Sequence, residues 1–107
     1  MTHKEKIQRL AKMIQTQTFA RLDNYYSNSD LATHDSQVTV KSGRKYTKID
    51  VGQSGKYMID AQGNIFGIKA YGVIHHGHRY GTLDTIDCYD WSNYEAVKIR
   101  NEIKVMN

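Results

Sequence analysis

Residues 38–71 read VTVKSGRKYTKIDVGQSGKYMIDAQGNIFGIKAY, and their alternation decides the fold. Val38 and Val40 alternate with polar residues, and Lys41-Ser42-Gly43-Arg44 has the composition of a turn. Lys45–Val51 is rich in β-formers and stops at a second turn, Gly52-Gln53-Ser54-Gly55. In Lys56–Asp60, Tyr57 and Ile59 fall on one face and Met58 on the other, because side chains alternate along a strand. Ala61-Gln62-Gly63-Asn64 is a third turn, with Gly63 free to take the positive φ of a tight hairpin. Ile65–Tyr71 closes the run, with Phe66, Ile68 and Ala70 facing opposite to Ile65 and Lys69. Turns at such short, regular intervals predict an antiparallel meander.

Upstream, Ile7, Leu10, Ile14, Thr18, Leu22 and Tyr25 recur at three- and four-residue steps, the stripe of an amphipathic helix. Thr2 stands three residues before Glu5, the spacing of a capping box. The helix is expected to end near Tyr26, before the loop composition Ser27-Asn28-Ser29-Asp30, with a short turn around Leu31–Asp35. Downstream of Tyr71 the pattern loosens. Gly72–Gly81 reads as a loop or irregular hairpin, Leu83–Ile86 as a short strand, and Asp87–Asn93 as a turn carrying Trp91. Within 95–106 the spacing of Val97, Ile99, Ile103 and Val105 favours a strand, although a helix also accommodates it. The expectation is one α+β domain over 1–107. An N-terminal amphipathic helix and loop (1–30) pack on a twisted antiparallel meander of four to six strands (36–107).

A chain of 107 residues with 39% hydrophobic and 24% charged residues has the composition of a single globular domain. It holds eight tyrosines and no proline, so glycine and asparagine must supply the turns. Cys88 is the single cysteine, which excludes an intramolecular disulfide and suits a reducing compartment. No stretch has signal-peptide or membrane-span length, so a soluble cytoplasmic protein with no membrane contact is expected. The net charge of +4 is uneven: residues 1–35 carry +1, residues 36–81 carry +5 and residues 82–107 carry −2. The positive excess therefore lies on the hairpins.

His75, His76 and His78 could offer nitrogens to a metal, with Asp84 or Asp87 as an oxygen ligand. Successive residues of an extended chain point to opposite faces, however. His76 and His78 can share a face and His75 cannot join them, so no metal and no cofactor is expected. Cys88 with His76 and Asp90 matches no known nucleophile setting, and a lone cysteine is more often a small buried hydrophobe. Asp84, Asp87 and Asp90, spaced by three, read as a solvated acidic turn, and Gly52–Gly55 lacks the Lys-Ser/Thr ending of a phosphate loop. The remaining lead is the interleaving of cations with rings on the sheet, where cations follow phosphates and rings stack on bases. Protein interfaces use the same residue types. The residues assigned to binding are Arg44, Lys45, Lys48, Lys69, His76, His78, Arg79 and Tyr80.

The segments Lys45-Tyr46-Thr47-Lys48-Ile49, Tyr57-Met58-Ile59-Asp60, Gly63-Asn64-Ile65-Phe66-Gly67-Ile68-Lys69-Ala70-Tyr71 and Tyr80-Gly81-Thr82-Leu83 form a module. This module, in the middle of the chain, resembles short proteins of unassigned function carried by bacteriophages and related mobile elements. The resemblance implies a phage setting, inside an infected bacterial host, and supplies no catalytic residue. It implies a small non-enzymatic accessory protein that engages nucleic acid or a host protein handling nucleic acid. A host-defence inhibitor of CRISPR type would meet that description. The rival expectations are a virion or assembly component acting by self-association, and a small hydrolase or nuclease built on His76, His78 and nearby acids.

Overall fold

The computed structural model describes residues 1–26, 28–70, 73–93 and 95–101, with the side chains of Lys69 and Ala70 excepted. Helix α1 (His3–Tyr25) begins at the Thr2 capping box: Glu5 N–H donates to Thr2 Oγ1 at 3.1 Å, and Thr2 N–H reaches back to Glu5 Oε1 at 3.4 Å. Ile7, Leu10, Ala11, Ile14, Thr18 and Leu22 form its buried stripe. Tyr25 fits the same period but lies in solvent, 83% exposed. The segment expected to be a turn is a second helix, α2 (Ser29–Asp35). Asn28 caps it by accepting from Asp30 N–H and Leu31 N–H, and its Ala32 is fully buried. A good N-cap and one burial site suffice for a helix too short to carry a periodic signature.

Strands β1 (Val38–Ser42), β2 (Thr47–Val51), β3 (Ser54–Ile59), β4 (Asn64–Ala70) and β5 (Val73–Thr82) form one antiparallel sheet in chain order. The first four match the expected hairpins, and Gly63 turns between β3 and β4 with φ of 87°. The fifth differs from expectation. The described part of 72–81 belongs to a ten-residue strand, Val73–Thr82, paired to β4 through three register shifts. Each shift resets the inside–outside alternation, so the segment has no constant period to recognise. Leu83–Ile86 also departs from the strand reading: Leu83 lies in a turn and Ile86 opens a 3₁₀ turn (Ile86–Cys88). Beyond it, β6 (Tyr89–Asp90) pairs with β7 (Val97–Lys98). The strand reading of the C-terminal segment thus holds for those two residues, and 102–106 lies outside the described residues.

Helix α1 covers one face of the sheet. Its Ile7, Leu10 and Ile14 meet Ile49, Tyr57, Ile59 and Ile65, and Leu83, Ile86 and Trp91 complete the core. Trp91 is 1% exposed and is fixed on three sides. Its indole N–H donates to Ile86 O at 2.9 Å, its backbone N–H to Gln17 Oε1 at 2.7 Å, and its ring stands edge-on to Tyr57 with centroids 5.3 Å apart. Two surface ion pairs, Lys6–Asp84 at 2.7 Å and Arg9–Asp87 at 3.0 Å, join the same segment to α1. Exposed pairs of this kind contribute little beside a buried indole. Among the described residues, no helix is long and apolar enough to cross a membrane.

Trp91→Ala should destabilise the fold by about 3–5 kcal/mol, the range for truncating a buried aromatic ring. Asp84→Ala should change it by less than about 1 kcal/mol. Urea unfolding followed by circular dichroism compares the two, and equal effects would contradict this division of the core from its rim.

Candidate functional site

Among the described residues, the core cluster takes its sheet side chains from the α1 face and none from the opposite face. The organisation of that opposite face follows from strand register. Lys41 stands opposite Lys48, Lys48 opposite Met58, Met58 opposite Phe66, and Phe66 opposite Arg79. Directly opposed residues share a face, so these five side chains form one row across all five strands, about 19 Å long at the usual strand spacing. Cations hold both ends and apolar groups hold the middle. Met58 is buried between its cross-strand neighbours and Phe66 is half-buried. The exposed His76 ring packs edge-on to Phe66, with centroids 5.5 Å apart.

The two cationic ends are held differently. Lys41 pairs with Asp50 at 3.1 Å, a carboxylate largely buried one step along the same face. Arg79 is oriented through an amide: its Nη2 donates to Asn64 Oδ1 at 2.7 Å. Asn64 in turn donates from its side-chain amide to Asp60 Oδ2 at 3.0 Å and from its backbone N–H to Asp60 Oδ1 at 2.8 Å. Burial pushes the Asp60 carboxyl up, but the bonds from Asn64, Gln62 and Gly63 outweigh it and hold the group below its ordinary range. A carboxylate in the β3–β4 turn thus sets the direction of a guanidinium on β5.

The residues assigned from sequence do not converge on one surface. Lys48, His76 and Arg79 share the open face. Arg44 and Lys45 lie in the β1–β2 turn, at the edge of a shallow hollow of about 230 Å³ shared with His3 and Asp60. Lys69 contributes its backbone to β4, and its side chain lies outside the described residues. His78 and Tyr80 are on the α1 side of the sheet. Tyr80 packs edge-on to the core residue Tyr57 at 5.5 Å, so it belongs to the core margin.

The expected sharing of a face by His76 and His78 is overturned. Residues 76–78 are extruded between the pairs Gly67↔His75 and Phe66↔Arg79. That bulge brings the rings of His75 and His78 to 4.1 Å while His76 turns to Phe66. Among the described residues, no group of three or more His, Cys, Asp or Glu side chains could hold a metal. Asp84 and Asp87 pair with Lys6 and Arg9, and Asp90 accepts from Ser92 Oγ at 2.6 Å, so these acids serve local structure. The Cys88 thiol is buried, 3.9 Å from Asn101 O.

Lys41, Phe66 and Asn64 join the site only through the register. The signal for them in the sequence is the hairpin spacing around Gly43 and Gly63, from which the row can be counted. Comparison of the chain with family models, with curated proteins and with solved structures gives no match.

The depressed Asp60 carboxyl has a consequence for acid stability. Its contribution is complete above the ordinary carboxylate range and is lost as pH falls through the lower value of the folded state. Asp60→Asn should therefore flatten the acid limb of melting temperature against pH and reorient Arg79. Thermal melts across the acid range check this, and an unchanged limb would remove Asp60 as its source.

Proposed function

We propose that the protein is a small non-enzymatic accessory protein that binds single-stranded nucleic acid along the open face of its sheet. The row Lys41–Lys48–Met58–Phe66–Arg79 carries this reading. Flanking cations can track a phosphate backbone while Phe66 and His76 offer ring surface to a base between them. Backbone contacts of this kind give affinity without sequence preference, and their strength falls with salt. Acting in an infected bacterium, as the resemblance to phage proteins implies, such binding would mask a nucleic acid or displace a host defence protein from it.

The rival readings have less geometric support. A hydrolase on His76 and His78 would need both rings on one side of the sheet, and they lie on opposite sides. Self-association through the β1 edge is opposed by Gln15, whose Oε1 takes the Val38 N–H at 3.1 Å, and by Lys41 on that strand.

A labelled mixed-sequence oligonucleotide of about ten residues, as DNA and as RNA, tests the proposal by fluorescence anisotropy. Binding is expected at low salt, with Lys48→Ala and Arg79→Ala each reducing the slope of log K against log salt by about 0.7. Phe66→Ala should weaken binding by about 1–3 kcal/mol. Absence of binding to either oligonucleotide at low salt overturns the reading, and a pull-down from bacterial lysate would then address a protein partner.

A further inference from the structure

Beside the row on the open face lies an apolar pair. Ile68 stands two residues along β4 from Phe66, and its directly opposed partner on β5 is Ile74. The extra residues of the shift between Phe66 and Gly67 lie on β5, so the alternation of β4 from Phe66 to Ile68 is unbroken. Phe66 and Ile68 therefore share a face, and Ile74 shares it by direct opposition. His76 stands two residues beyond Ile74, and its ring meets Phe66 with centroids 5.5 Å apart. The four side chains make a small square: a pair of rings and, about 7 Å along the strands, a pair of aliphatic groups.

Both isoleucines are half-buried, so each keeps apolar surface in contact with solvent. Among the described residues, neither belongs to the core cluster nor packs against it, so this surface is not a margin of the core. Asn64, on the same face of β4, has both ends of its side chain committed: the carbonyl accepts from Arg79 and the amide donates to Asp60. What the square offers beside its rings is apolar contact. The charge of +5 over residues 36–81 suits a polyanion as the occupant. A pyrimidine stacked on the rings can turn its C5 edge towards the isoleucines. Uracil and cytosine present a hydrogen there, and thymine presents a methyl group. A purine presents the acceptor N7 on the matching edge, which would lose its water against aliphatic side chains.

We propose that Ile68 and Ile74 give this face a preference for thymine, and so for thymine-bearing single-stranded DNA over RNA. The inference rests on the nucleic-acid reading above. Phosphate contacts give affinity, the rings hold a base, and the isoleucine pair rewards a methyl group at the edge of that base. Removing one such group from water changes affinity about fourfold.

Fluorescence anisotropy with labelled oligo(dT), oligo(dU), oligo(dC) and C5-methylated oligo(dC), each of about ten residues, tests the proposal. Within each pair the probes differ only in the C5 methyl group. At low salt oligo(dT) should bind about fourfold more tightly than oligo(dU), and methylated oligo(dC) should exceed oligo(dC) by a similar factor. Ile68→Thr and Ile74→Thr keep a β-branched residue in the strand and replace its ethyl arm with a hydroxyl. Each should bring the dT-to-dU ratio close to one and leave affinity for oligo(dU) nearly unchanged. Should a variant fail to fold, the two methyl comparisons in the unaltered protein still decide. Arg79→Ala should weaken oligo(dT) and oligo(dU) by the same factor, since a phosphate contact does not distinguish them. Equal binding of oligo(dT) and oligo(dU) overturns the proposal and leaves the nucleic-acid reading standing. A methyl preference that persists in both folded isoleucine variants also overturns it, because the methyl group then lies elsewhere. No binding of any probe at low salt overturns both.

Discussion

Three parts of the chain that are distant in sequence meet at Trp91, through its backbone and its indole. Helix α1 approaches through Gln17 and Thr18, the sheet through Tyr57, and the post-sheet segment through Ile86 and Trp91 itself. An indole buried to this degree contributes a large apolar area, but its N–H must find a partner inside. The carbonyl of Ile86 supplies that partner, and the 3₁₀ turn that carries Ile86 is placed accordingly. With this anchor, α1 stays on one face of the sheet and the other face stays open. The open face therefore depends on a core contact that it does not itself use.

The second organising constraint is the distribution of bulges. A regular meander would send alternate residues of β3 and β5 to fixed faces, and a one-residue slip moves every later side chain across the sheet. The irregularity at Ile49/Asp50 turns Lys56 inward, and the extruded residues 76–78 separate His76 from His78. Gly81, with φ of 67°, belongs to the last irregularity of β5, where a Cβ would collide with the Thr85 hydroxyl. The surface that results is a compact row, in which cations occupy the rims and the least soluble groups occupy the centre. Met58 is buried among its neighbours, while Phe66 keeps part of its ring exposed.

Much of this architecture is legible in the amino-acid sequence. The helix period, the Thr2–Glu5 capping box, the glycine turns and the alternation in residues 38–71 are local signals, and each becomes the element expected of it. The α+β arrangement follows, because an apolar helix stripe and an apolar strand face each need a partner. Missing from the sequence reading are α2, whose seven residues are too few for periodicity, and β5, whose alternation is reset three times. Of the residues assigned to binding, Lys48, His76 and Arg79 share the open face of the sheet. Arg44 and Lys45 lie at the sheet's end, and His78 and Tyr80 lie on its other side.

The division has a physical cause. Composition, caps, turns and hydrophobic period act within a few residues, so the sequence by itself determined helix α1, the first four strands of the meander and the positive excess of its hairpins. Which side chains meet is set by register between strands and by the bulges that shift it, and these balance ladder hydrogen bonds against burial across the whole sheet. Only the tertiary structure could decide that Lys41, Lys48, Phe66 and Arg79 stand in one row.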